Sequence, residues 1–159
     1  MIHCMKIAVF PGSFDPITVG HVDLVRRALP LFDKIIIAIG VNSQKKYLFS
    51  LEQRKNWLKD VFNDLGAVEI DVYESLTAKY CEEKNARFIL RGLRNAADFD
   101  YEKTIAHLNK AMLPEVETIL ILSKPELSSI SSTIVREIIR GKGNVEKFVP
   151  AAIANEMTI

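Results

Sequence analysis

The chain has 159 residues, 48% of them apolar and 26% charged, with a formal net charge of +1. Such a composition excludes a disordered chain and gives no general attraction to nucleic acid or to a membrane surface. The longest apolar run, Ile35 to Val41, is far too short to cross a bilayer, and Met1 to Phe10 reads as a strand rather than a signal peptide.

The length favours a single domain over residues 1–159, with no repeat, low-complexity tract or linker to divide it. Cys4 and Cys81 lie far apart and fit no metal-ligand spacing, which predicts free thiols in a cytoplasmic protein.

In chain order, the first apolar run is Lys6–Phe10, read as a strand. Val22, Val25 and Leu29 then share one face of a helix. Lys34–Val41 is the second strand, followed by Asn42 to Tyr47 with its adjacent Lys45 and Lys46. Ser50 and Gln53 have capping-box spacing and open a helix whose stripe is Leu58, Val61, Phe62 and Leu65. Val68–Tyr73 alternates apolar Val68, Ile70 and Val72 with Glu69 and Asp71, the pattern of an edge strand. Arg87–Leu90 and Glu117–Leu122 are the fourth and fifth strands, and between them Tyr101, Ile105, Leu108 and Met112 stripe a helix that Pro114 ends. Ile134, Ile138 and Ile139 mark a last helix stopping at Gly141, and Ala152, Ile153 and Met157 suit a short docking helix. The mostly continuous Val- and Ile-rich runs predict strands covered on both faces. Strand–helix alternation predicts an α/β fold: a five-stranded parallel sheet with helices on both faces. Ligands of such sheets bind beyond the carboxyl ends of the strands, so the chemistry is expected in the loops there.

The richest of these loops is Phe10-Pro-Gly-Ser-Phe-Asp-Pro-Ile-Thr-Val-Gly-His21. Pro11-Gly12 is expected to turn the chain out of the strand, with Gly12 admitting a ligand to the backbone. Ser13 offers a hydroxyl, Asp15-Pro16 makes a second turn, and Thr18 to His21 open a helix whose N-terminus suits phosphate. The string is neither a Walker A loop nor a GxGxxG fingerprint. After the fourth strand, Arg91-Gly-Leu-Arg-Asn-Ala-Ala-Asp-Phe-Asp-Tyr-Glu102 supplies two phosphate-holding arginines about a flexible Gly-Leu, with Asp98 and Glu102 on one helix face. After the fifth, Ile130-Ser-Ser-Thr-Ile-Val-Arg136 clusters hydroxyls at another helix start; one serves as cap and the others are surplus to it. Arg136 is either a phosphate ligand or a surface residue. His3 and His107 read as structural.

The first loop resembles the signature of the nucleotidyltransferase superfamily, whose T/H-x-G-H motif holds nucleotide phosphates, and so implies the Rossmann-like fold of that group. All three segments, in order over nearly the whole chain, closely resemble the phosphopantetheine adenylyltransferases, bacterial enzymes of coenzyme A synthesis. The resemblance implies transfer of an adenylyl group from ATP to 4′-phosphopantetheine, giving dephospho-coenzyme A and pyrophosphate. It implies that Ser13 and Phe14 touch ATP, Ser13 also the acceptor, and that His21 steadies the transition state. Lys45, Thr77 and Arg91 would bind phosphopantetheine, with His21, Lys45 and Arg91 the catalytic set. Gly92, Leu93, Arg94 and Glu102 would bind ATP, as would Leu127, Ser128, Ser129, Ile130, Ser131, Ser132 and Thr133. The departures are Leu127, where many relatives have Trp, and Thr77, where Leu or Met is frequent. Mg2+ is expected on the ATP phosphates with no dedicated protein ligands. Coenzyme A would be a product-side ligand, and a homohexamer is implied. Nicotinate-mononucleotide adenylyltransferases usually have His where this chain has Thr18. A regulator without turnover is argued against by intact His21 and Lys45.

Overall fold

The computed structural model describes residues 5–157. Five parallel strands, β1 (Ile7–Gly12), β2 (Lys34–Gly40), β3 (Val68–Tyr73), β4 (Phe88–Leu93) and β5 (Glu117–Leu122), stand in the order β3-β2-β1-β4-β5. The helices are α1 (Val19–Ala28), α2 (Leu51–Val61), α3 (Thr77–Glu83), α4 (Ala96–Met112) and α5 (Ser132–Arg140). Strand β2 shows why the apolar runs are continuous. Ile35, Ile37 and Ile39 pack on one face with Val25, Leu58 and Val135, from α1, α2 and α5. Ile36 and Ala38 pack on the other with Tyr80 and Cys81 of α3. Two faces to cover leave no polar positions between.

The alternating β3 is an edge, as expected. So is β5, despite its continuous run; its central residues are half-buried and Leu122 is 70% exposed. Further expectations change. β1 and β4 run past their predicted ends, so Pro11-Gly12 and Arg91-Gly92-Leu93 are strand, not loop. Gly12 is not a turn: it pairs with Ile39, and a Cβ on it would meet the Phe14 ring at 2.9 Å. Gly92 is no flexible hinge either, since a Cβ there would lie 2.5 Å from Leu24 Cδ1 of α1. Helix α3 gives no stripe in the sequence, having only seven residues and no side-chain cap. Helix α4 turns its stripe outward: Tyr101, Leu108 and Met112 are exposed, while Glu102 and Asn109 are buried.

The order reverses between β1 and β4, which pair only through Ala8–Phe88 and Val9–Ile89. Beyond Val9 the two strands separate, opening a crevice at their carboxyl ends, where such sheets bind ligands. Pro11, lacking an N–H, is tolerated at that opening. The chain end closes the fold from behind. Ile153 and Met157 are buried, although Ala152 is exposed, and Trp57 Nε1 donates to Glu156 Oε2 at 2.8 Å. Cys81 is a buried free thiol, pushed up to about 12 by desolvation and so inert. Among the described residues no helix is long and apolar enough to cross a membrane. His3, Cys4 and residues 158–159 lie outside the described range.

Candidate active site

Helix α1 begins with a reciprocal cap. Thr18 Oγ1 accepts the His21 N–H at 3.4 Å, and the His21 ring reaches back, its Nδ1 accepting the Thr18 N–H at 3.0 Å. That second bond decides the tautomer. With Nδ1 an acceptor, the neutral ring carries its proton on Nε2, a donor on the wall of the crevice. The ring stays neutral because burial, helped by the Arg91 and Arg94 charges, lowers its pKa to about 4 from the ordinary 6.5.

Phe14 sits beneath this ring, 3% exposed, with centroids 5.2 Å from His21 and 5.4 Å from Phe10. Its φ of 48° is left-handed, which costs a bulky residue about 1–3 kcal/mol unless the surroundings impose it. Buried Asp15 helps to impose it. Its carboxylate accepts the Leu48 and Phe49 N–H groups at 2.9 Å each, tying the loop after β1 to the loop after β2.

On β4, Arg91 is held by three donors: Nη1 gives to the Pro11 carbonyl at 2.7 Å, and Nε and Nη2 grip Glu102. Arg94 is likewise forked onto Asp98, at 2.9 and 3.1 Å. The two carboxylates of α4 thus aim and steady the arginines. Both guanidiniums still line the crevice.

The hydroxyls at the start of α5 are engaged rather than surplus. Ser131 caps Ile134 N at 3.2 Å, Ser132 Oγ donates to the Pro16 carbonyl at 2.7 Å, and Thr133 Oγ1 accepts from Arg136 at 3.1 Å. Arg136 also donates to the Asp15 carbonyl at 2.7 Å. It is therefore neither a bare surface residue nor a wholly free ligand; it anchors the β1 loop.

All these groups meet in one cleft of about 830 Å³. Ser13, Phe14, His21, Lys45, Thr77, Arg91, Gly92, Arg94 and Glu102 line it, as do Ile130, Ser131, Ser132 and Thr133. Leu93 is buried in the strand and Leu127, Ser128 and Ser129 lie off the walls, with Ser128 Oγ turned back to the Pro125 carbonyl. Thr77 opens α3, its hydroxyl 2.9 Å from that of Tyr73. Lys45 is exposed and has no ion pair among the described residues, so its charge is available to a ligand. His107 is exposed in mid-α4, away from the walls.

Comparison with known proteins matches this arrangement to one group. Residues 9–138 match the cytidylyltransferase-like family. A phosphopantetheine adenylyltransferase of Flavobacterium psychrophilum is 54% identical over 149 residues, covering 94% of this chain and 98% of the relative. The chain belongs to the phosphopantetheine adenylyltransferase family. A Leptospira biflexa member of that family is 49% identical over 152 residues, covering 96% of this chain and 95% of its own. A Francisella tularensis bifunctional NMN adenylyltransferase/ADP ribose pyrophosphatase shares the fold, with a TM-score of 0.67 at 21% identity. The alignment covers 92% of this chain and 45% of that one.

In this phosphopantetheine adenylyltransferase family member, three residues that organise the site carry weak sequence signals. Asp15 reads from sequence only as a turn former. Tyr73 closes β3 and lines the cleft. Arg54 is 2% exposed on α2. A signal for Arg54 does exist: it falls four and seven residues before Leu58 and Val61, a charge on the apolar stripe.

Proposed function

We propose that this chain transfers the adenylyl group of ATP to the phosphate of 4′-phosphopantetheine, giving dephospho-coenzyme A and pyrophosphate, with residues 1–159 acting as one domain. The observation that carries the reading is a single cleft holding a neutral His21 Nε2–H donor beside Arg91, Arg94 and Lys45, which has no ion pair among the described residues.

A phosphate monoester has a second pKa near ~6, so at neutral pH the acceptor oxygen is already anionic and needs no base. That oxygen forms a bond to the α-phosphorus of ATP, while the bond from the α-phosphorus to the bridging oxygen breaks and pyrophosphate carries its electrons away. The obstacle is repulsion between two polyanions, about 1 kcal/mol per charge pair at ~4 Å in water and several-fold more in a protein. Lys45 and Arg91 offset it on the acceptor side, Arg94 on the nucleotide side. His21 donates from Nε2 to the α-phosphate oxygens as charge builds there, and remaining neutral it keeps that donor fixed. Catalysis is then positioning plus charge stabilisation.

Ser13 and the N-terminal turn of α1 face the phosphates, Thr77 the pantetheine side, and the segment from Leu127 to Thr133 the nucleoside. Of the cleft carboxylates Glu74, Asp98 and Glu102, the last two already hold arginines. Mg2+ would therefore be carried mainly by the ATP itself, and would supply further neutralisation of the ATP charge. The exposed Leu108 and Met112 of α4 support self-association, in which these apolar groups would be covered, and the assembly proposed is a cytoplasmic homohexamer. Dephospho-coenzyme A and coenzyme A would occupy the same cleft.

One assay tests the reading: pyrophosphate release from ATP with phosphopantetheine and, separately, with nicotinate mononucleotide. Release with the first and not the second is expected. The reverse would overturn it.

A further inference from the structure

Arg54 has no place on the cleft wall, yet its side chain reaches the site from behind. Its Nη1 donates to the Ser13 carbonyl at 2.7 Å and its Nε to the Phe49 carbonyl at 3.2 Å. The guanidinium carbon lies over the Tyr47 ring, 4.1 Å from its centroid, a cation–π contact. Tyr47 in turn holds the loop that carries Lys45, its hydroxyl accepting from Asn42 N at 3.1 Å and donating to the Gly40 carbonyl at 3.4 Å. One buried side chain thus touches both the loop after β1 and the loop after β2.

The contact to Ser13 fixes a peptide plane. The Ser13–Phe14 bond is trans, so the Phe14 N–H points opposite to the Ser13 carbonyl. The carbonyl is held by Arg54, which is not among the cleft-lining residues, so the Phe14 N–H points away from Arg54. That N–H has no hydrogen-bond partner among the described residues, as befits a donor kept for a ligand. The left-handed φ of 48° at Phe14 is the backbone consequence of holding the plane this way.

We infer that Arg54 is a positioning residue for adenylyl transfer. It orients the Ser13–Phe14 peptide so that the Phe14 amide joins the His21 Nε2–H as an anion donor, and through Tyr47 it sets the loop bearing Lys45. The inference rests on the proposed reaction. Two donor nitrogens in a rigid fork reach the two carbonyls while the guanidinium carbon stays over the Tyr47 ring, so lysine cannot substitute.

The test compares wild type with Arg54→Lys and Arg54→Met, and uses Val61→Ala on the same helix as a control that thins the core away from the cleft. Each is melted thermally, then assayed for pyrophosphate release well below its melting temperature, with kcat and both KM values determined separately. Arg54→Lys is expected to stay folded and lose about 10²-fold in kcat, the scale of a small misplacement of reacting groups. Its KM for ATP should change much less, and Val61→Ala should keep wild-type kcat whatever its melting temperature. If Arg54→Met does not fold, Arg54→Lys alone decides. An Arg54→Lys kcat within twofold of wild type, or a loss that Val61→Ala shares at matched stability, overturns the inference. Wild type that releases no pyrophosphate with phosphopantetheine would instead overturn the proposed reaction, so the two failures are distinct.

Discussion

His21→Gln separates two jobs done by one ring. The ring closes the cap of α1 through Nδ1 and offers a donor to the cleft through Nε2. Helix α2 shows what glutamine does at the equivalent place. Gln53 Oε1 accepts the Ser50 N–H at 3.1 Å, and Ser50 Oγ accepts the Gln53 N–H at 3.2 Å. The substituted glutamine should therefore keep the cap, and stability at pH 7 should stay within about 0.5 kcal/mol of wild type. Its amide cannot also extend a donor as far as the imidazole does. Turnover should fall by about 10²–10³-fold, or roughly 3–4 kcal/mol of transition-state stabilisation.

The same variant gives a pH signature. Folded His21 titrates at about 4 and the unfolded residue near its ordinary 6.5. Between those values the unfolded chain binds a proton that the folded chain refuses. This contribution to stability is complete above pH 6.5 and is lost as pH falls toward 4. At pH 4.5 the loss comes to about 1–3 kcal/mol, the upper figure applying if the cleft were dry. The glutamine variant lacks this titration. Between pH 7 and 4.5 it should lose less stability than wild type by that amount, measured by urea denaturation at both values. Parallel stability losses, or turnover within tenfold of wild type, would refute the assignment of ring roles.

Lys45→Met should raise the KM for phosphopantetheine with stability within about 0.5 kcal/mol of wild type, since the side chain is exposed and holds no ion pair among the described residues; steady-state kinetics and a thermal melt check both. Asp15→Ala strips the acceptor from the Leu48 and Phe49 amides, and should cost about 2–5 kcal/mol in urea denaturation. Leu108→Lys on the exposed face of α4 should lower the sedimenting mass without disturbing the secondary structure seen by circular dichroism.

Helix α4 illustrates what could be read in advance and what could not. Its length and period are legible, because spacing of apolar side chains is a local property. Which face turns inward is not. Glu102 takes the buried side because Arg91, eleven residues away on β4, needs a carboxylate there. Strands β1 and β4 overran their expected ends for a similar reason. Pro11, Gly12, Arg91 and Gly92 look like loop residues in isolation, and only pairing with β2 and β5 keeps them extended. The hydroxyls of Ser132 and Thr133 looked free because their partners, Pro16 and Arg136, are settled by packing.

The order of elements, the double-sided strands and the loops that line the cleft are encoded in short stretches, since periodicity, capping and turn chemistry act over a few residues. The sequence therefore determined by itself the α/β architecture and most of the residues in the cleft. The tautomer of His21, the arginine–carboxylate forks and the grip of Arg54 on Ser13 were decided by tertiary structure alone. Each depends on a distance and a direction between groups that are brought together only when the sheet and its helices pack.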